Sequence, residues 1–184
     1  MDQHRRTYTR VLSDPISPTA EFGHNVRLGH NVIIGDNCKI GDNCLIDHGT
    51  IIRPDVTIAD NTEIRPFCFI GDEAVIGSRV KVFQYSDICS LAIVGDGVYI
   101  GVGVILTNTR RISHGRGYPP LLEGPVIEDF ARVASGSLIL PGIVIGRNSL
   151  VGAGAVVTRN VPEGKKVMGI PARYTEDVSL EELL

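Results

Sequence analysis

From Phe22 to Leu106 every sixth residue is apolar. The positions are Phe22, Leu28, Ile34, Ile40, Ile46, Ile52, Ile58, Ile64, Ile70, Ile76, Val82, Ile88, Val94, Ile100 and Leu106, with no miss. Four residues after each stands a small or compact side chain, such as Val32, Cys38, Cys44, Thr50, Val56, Thr62, Cys68, Ala74 or Ser86. The residue directly after the apolar one is often glycine, as at Gly23, Gly29, Gly35, Gly41, Gly71, Gly77, Gly95 and Gly101. A period of six fits neither an amphipathic helix nor one long strand. It fits a β-helix of hexapeptide repeats, an all-β parallel solenoid in which each hexad is a short strand and a turn. A short strand cannot bury its apolar side chain alone, so coils must stack. Residues eighteen apart then lie one above another at the ordinary strand separation of about 4.8 Å. Glycine and the Asp36-Asn37, Asp42-Asn43 and Asp60-Asn61 pairs suit turns that need positive φ.

The beat fails after Leu106 and resumes in a new phase at Ile127, Val133, Ile139, Ile145, Val151 and Val157. The expected organisation is therefore one domain over 1–184. It has an N-terminal cap over 1–21, coils over 22–106, an excursion over 107–125, coils over 126–161, and a tail over 162–184. An excursion of that length in a compact domain is usually functional or disordered. Ser179 suits an N-cap, so the end of the tail is expected either to form a short helix or to fray.

A net charge of −3 argues against a nucleic-acid groove or a polybasic membrane surface. No apolar run approaches a membrane span, and the first residues lack the apolar stretch of a signal peptide, so the cytoplasm is expected. Cys38, Cys44 and Cys68 occupy the small inward position, and Cys89 follows Ile88. They read as reduced core thiols, not as a metal or redox site.

The segment Ile145-Gly-Arg-Asn-Ser-Leu-Val-Gly-Ala-Gly-Ala-Val-Val-Thr-Arg-Asn-Val-Pro162, followed by Met168-Gly-Ile-Pro-Ala-Arg173, resembles the end of the hexapeptide-repeat acyltransferases. The resemblance runs over about residues 22–173. It implies a left-handed β-helix, a homotrimer with sites between neighbouring prisms, and acetyl-CoA as co-substrate. Val82-Phe-Gln-Tyr-Ser-Asp-Ile88 and Leu106-Thr107-Asn108 are similar to elements of the bacterial nucleotide-sugar N-acetyltransferases. That branch acetylates amino groups of UDP- or dTDP-linked sugars for surface polysaccharides. The chain departs from it where Phe83 replaces Trp and where Gln84 and Asp87 replace two His. Thr109-Arg110-Arg111 also replaces the branch's usual Asp and Pro-Arg.

Acyl transfer from a thioester needs a nucleophile, a way to remove its proton, and stabilisation of the oxyanion. His114, in the excursion, is a candidate base; it also reads as an ordinary exposed loop histidine. Asn108 matches the branch's substrate contact, with Gln84 and Asp87 as possible partners to the acceptor. Arg110 and Arg111, with Arg116, make the excursion basic and suit a diphosphate. On the co-substrate side the resemblance implies that Ala134, Gly152 and Ala153 leave room for the pantetheine arm. By the same token Arg159, Lys165 and Lys166 lie where the family holds the CoA phosphates.

Two other classes stay open. His30 and His48 are eighteen apart and should stack, with His24 nearby, which raises a zinc protein like the γ-carbonic anhydrases. Their His-x-x-x-x-His element is absent, and no metal ligand set is assigned. The other is a β-helix scaffold without activity. No cysteine or serine has an activated setting, so transfer is expected without a covalent enzyme intermediate.

Overall fold

The computed structural model describes residues 15–183. The chain is a left-handed parallel β-helix, a triangular prism with three sheet faces. The first face has seven strands, from Glu21–Phe22 to Val144–Ile145. The second starts at Arg27–Leu28 and has nine strands, the last two from the C-terminal segment. The third has seven, from Ile33–Ile34 to Val156–Val157. Strands eighteen residues apart pair in parallel, as Val75 with Thr57 and Ile93.

In each two-residue strand from Ile33–Ile34 to Ile105–Leu106 the beat residue points in and is buried. A fully buried isoleucine contributes roughly 1.5–3 kcal/mol, and the column repeats that term in every coil. Phe22 and Leu28 remain 40% and 38% exposed, because no described coil covers them from outside. The stack nevertheless reaches back to Ile16, which bridges to Ile34. The part of the expected cap before Pro15 lies outside the described residues.

The small inward position has a polar task as well as a steric one. Thr50 Oγ1 donates to Arg65 O (3.0 Å), Thr62 Oγ1 to Gly77 O (2.8 Å) and Ser86 Oγ to Gly101 O (2.8 Å). Cys38, Cys44 and Cys68 make the same step, with Sγ to Arg53 O, Ala59 O and Phe83 O at 3.0, 3.2 and 3.1 Å. All four cysteines are free and buried, as expected. Burial pushes the Cys68 thiol up to about 11.

The turns correct one expectation. Positive φ falls on the third residue after the beat, at Asn37, Asn43 and Asn61 but also at Phe67, Tyr85 and Leu91. The glycines directly after the beat do not have it. They are needed because the next coil passes too close: a Cβ on Gly77 would lie 2.6 Å from Asp96 Oδ1 and 2.8 Å from Asp96 N. Along that edge carboxylates of one coil accept N–H groups of the coil below, as Ser78 N to Asp96 Oδ1 (2.8 Å) and Asp96 N to Asp129 Oδ1 (2.9 Å).

The excursion leaves the edge between the third and first faces. Across it the pairing jumps from eighteen residues to thirty-three, yet every strand stays in register: Ile93 pairs with Val126, Tyr99 with Arg132 and Ile105 with Leu138. Within it, Thr109–Arg111 and Leu121–Leu122 form a two-stranded antiparallel ribbon. The tail also differs from expectation. Lys165–Met168 adds a parallel strand to the second face and then pairs with Arg173–Asp177 as a hairpin. Among the described residues only Leu180–Glu182 is helical, as a single 3-10 turn after Ser179. No helix among the described residues is long and apolar enough to cross a membrane.

Candidate functional site

A groove of about 510 Å³ lies on the third face where the excursion departs. Its floor is a column of outward residues eighteen apart, Phe69, Asp87 and Ile105. Its walls are Cys89 and Ser90 below, Thr107 to Thr109 from the base of the excursion, and Leu140 with Pro141 from the coil above. The column is apolar elsewhere too, with Ile33, Ile51, Leu138 and Val156 at the same outward position. Asp87 is therefore a lone carboxylate in an apolar strip, and burial raises its pKa above the ordinary carboxylate value. Burial, with the Asp87 charge adding to it, pushes the Cys89 thiol up to about 12, so it stays protonated at neutral pH.

Asn108 joins the excursion to this groove. Its backbone oxygen accepts from Glu123 N (2.7 Å), which closes the neck of the excursion. Its Nδ2 donates to Ser90 O (3.1 Å), and its Oδ1 accepts from Thr109 Oγ1 (3.3 Å). The side chain thus anchors the excursion to the prism while lining the groove.

A second groove of about 610 Å³ adjoins it across Leu140 and Pro141, lined also by Thr109, Arg110, Gly142, Thr158, Arg159 and Asn160. Arg110 is paired with Glu123 at 2.6 Å. Arg159 is exposed and forms no ion pair among the described residues. Arg111 donates to Pro119 O (3.2 Å) and lies over the Tyr118 ring at 4.8 Å, while Arg116 donates to His114 O (3.2 Å). These two arginines hold the loop to itself. His114 is exposed on the loop and does not line either groove within one chain.

The other expected residues stand on a different edge, between the second and third faces. Gln84 sits in one of its turns and Ala134 and Ala153 in others. There Gly152 is buried under the tail: a Cβ on it would lie 2.6 Å from Met168 Cγ. Lys165 pairs with Asp177 (2.6 Å), and Lys166 with Glu182 (2.9 Å) and Glu176 (3.4 Å). Those lysines fasten the tail to the second face. One chain therefore brings Asn108, Asp87, Arg110 and Arg159 to neighbouring grooves, and leaves Gln84, Ala134 and Ala153 on the far side of the third face.

The histidines show what stacking asks of a turn. His30 and His48 lie parallel, with ring centroids 5.2 Å apart, and His30 N donates to His48 Nδ1 (2.7 Å). His24 lies against Asp42 (3.3 Å) on another edge. No group of three or more His, Cys, Asp or Glu among the described residues is placed to hold a metal ion.

Phe69, Cys89, Ser90, Thr107, Leu140 and Pro141 were not singled out in the sequence as site residues. Eighteen-residue stacking would have placed Phe69 beneath Asp87; the thirty-three-residue jump hides Leu140 and Pro141.

Comparison with known proteins bears on this geometry. The family described as GMPPB C-terminal domain matches residues 13–115, more than half of the chain. The bacterial transferase hexapeptide family, described as six repeats, matches residues 124–159. A serine acetyltransferase of Bacillus licheniformis is 36% identical over 84 residues, 40% of this chain and 39% of the relative. The chain thus spans about two fifths of the length of that curated relative. Among solved structures, Arabidopsis UDP-N-acetylglucosamine acyltransferase superposes with a TM-score of 0.64 at 18% identity, over 91% of this chain and 73% of that one. AntD, an N-acyltransferase from Bacillus cereus in complex with dTDP-4-amino-4,6-dideoxyglucose and coenzyme A, gives a TM-score of 0.56 at 20% identity. That alignment covers 88% of this chain and 84% of AntD. At such identities the likeness is one of fold.

Proposed function

The chain belongs to the GMPPB C-terminal domain family and to the hexapeptide-repeat acyltransferases, and from that premise we propose that it moves an acetyl group from acetyl-CoA to a sugar. The first choice of acceptor is the amino group of a nucleotide-linked amino sugar; a sugar hydroxyl is the second. The observation that carries this reading is the pair of adjoining grooves at the excursion. One offers an amide and a carboxylate, Asn108 and Asp87, to an acceptor amine or hydroxyl. The other offers Arg159, beside Arg110 with its Glu123 partner, and a planar guanidinium fork suits phosphate oxygens.

The separation of the remaining expected residues supports an assembly of several copies. Ala134 and Ala153 border the opposite edge of the third face, so a pantetheine arm on that edge reaches Asn108 only if two prisms stand side by side. A homotrimer meets this demand by symmetry. In such a trimer His114, exposed on the excursion, extends toward a neighbour. Attack is direct, in a ternary complex: the buried, protonated Cys89 is a poor nucleophile.

The test is acetyl-CoA binding by calorimetry on metal-analysed protein, with the mass of the assembly measured alongside. Saturable binding near one per subunit is expected, followed by turnover of dTDP-4-amino-4,6-dideoxyglucose or another UDP- or dTDP-linked amino sugar. A second reading, a β-helix without transferase activity, is favoured by Met168 over Gly152 and by the pairing of Lys165 and Lys166 with the tail. Absence of acetyl-CoA binding by the trimer would select it.

A further inference from the structure

We propose that Asp87 is the proton acceptor of the transfer reaction. The inference rests on the transferase reading and deepens it, since the sequence offered His114 as a candidate base and Asn108 with Gln84 as the alternative. Three observations meet at this residue. It occupies an outward position that is Phe69 one coil below and Ile105 one coil above, so nothing in the repeat calls for a carboxylate there. Turn carboxylates elsewhere, such as Asp96 and Asp129, accept backbone N–H groups from the neighbouring coil. Asp87 is a strand residue and has no such stacking role. It also lines the groove together with Asn108.

A half-buried carboxylate without a structural partner costs stability, and chains keep such groups where they act. The charged and titratable surroundings are few. Cys89 is the other ionisable side chain lining the groove, and the Arg110–Glu123 pair stands on the adjoining groove. Burial raises Asp87 above the ordinary carboxylate value, which makes it a better base than a solvated aspartate.

The step balances as follows. The acceptor's nitrogen or oxygen attacks the thioester carbonyl carbon and a C–N or C–O bond forms. The proton shed by the acceptor passes to an Asp87 carboxylate oxygen. Collapse of the tetrahedral species breaks the C–S bond, and the departing CoA thiolate takes that proton from Asp87 and leaves as the thiol. Asn108 holds the acceptor against the carboxylate.

The experiment compares the full chain with Asp87→Asn, using acetyl-CoA and dTDP-4-amino-4,6-dideoxyglucose, then other UDP- and dTDP-linked amino sugars. Asp87→Asn is expected to lower kcat about 100-fold or more, with acetyl-CoA affinity unchanged within about twofold. Melting temperature provides the second readout. A raised carboxylate opposes folding above its folded value, and that penalty vanishes below the ordinary value of 3.8. Asp87→Asn should therefore melt no lower than the unaltered protein at neutral pH, with any gain lost in strong acid. A smaller fall in kcat, or a lowered melting temperature at neutral pH, overturns the assignment while leaving the transferase reading in place. So does loss of turnover in His114→Ala with Asp87→Asn active. Acetyl-CoA binding without turnover of any acceptor by the unaltered protein overturns the transferase reading and this step with it.

Discussion

The prism and the excursion follow opposite rules. In the coils each inward residue is fixed by the residue eighteen before and eighteen after it, and even glycine is set by the backbone passing above. In the excursion the side chains satisfy one another locally: Arg111 on Tyr118, Arg110 on Glu123, Arg116 on the His114 carbonyl. The first region is stabilised by contacts repeated along its whole length, the second by a neck at Asn108 and a few exposed pairs. Stability is thus concentrated away from the segment that shapes the groove.

Substitutions in the two regions should separate accordingly. Ile64→Ala, in the fully buried column, should cost about 2–5 kcal/mol in urea unfolding. A cost under about 1 kcal/mol would mean that the coils close over the cavity. Gly77→Ala should cost about 1–3 kcal/mol, because its Cβ meets the Asp96 backbone. Gly117→Ala, with nothing within 4 Å of the added Cβ, should change stability by less than about 0.5 kcal/mol. Equal effects at the two glycines would dissolve the distinction between the regions. Asn108→Ala should leave unfolding of the prism within about 1–2 kcal/mol of the parent while raising amide exchange across 109–123. Unaltered exchange there would show that Glu123 N to Asn108 O suffices without the side chain.

The smallest effect concerns the tail. Hydrogen bonds from Lys166 and Ser179 hold Glu182 at about 2, below its ordinary value of 4.5. A lowered carboxylate stabilises the fold above its ordinary value, and that contribution is lost as pH falls through the folded value. Amide protection over 165–178, relative to the intrinsic exchange rate at each pH, should therefore fall between pH 4.5 and about 2, ahead of protection in the central coils. Simultaneous exchange would mean that the tail unfolds only with the prism.

The fold was legible because the hexad repeats its inward residues without exception from Phe22 to Leu106, and because stacking converts a linear period into contacts. The change of phase at Ile127 corresponds to the jump in pairing, where Ile93 meets Val126. The tail hairpin was not legible: Lys166 pairs with Leu150 at a spacing of sixteen, outside the hexad, and Ser179 pointed to a helix. Positive φ was legible at the Asp-Asn pairs, at Asn37, Asn43 and Asn61, but not at the glycines after the beat, which answer to close approach between coils, a distance that no single coil encodes. Asn108 and Asp87, singled out in the sequence by likeness to the sugar N-acetyltransferase elements, line one groove. Leu140 and Pro141 were not legible, since they reach the groove only through strands that re-enter register after the excursion. Lys165 and Lys166 looked available to phosphate until Asp177, Glu176 and Glu182 were placed beside them.

The closed neck at Asn108 has an evolutionary consequence. Glu123 N on Asn108 O brings the two ends of the excursion together before the ribbon begins, so the coils above and below meet the same boundary whatever lies beyond it. Closing a longer loop is cheap, about 0.6 kcal/mol for each doubling of its length. A lineage built on this scaffold can therefore exchange one roof over the groove for another, longer or shorter, without renegotiating a single buried isoleucine. The shape of the groove's roof is free to change on a frame that scarcely does.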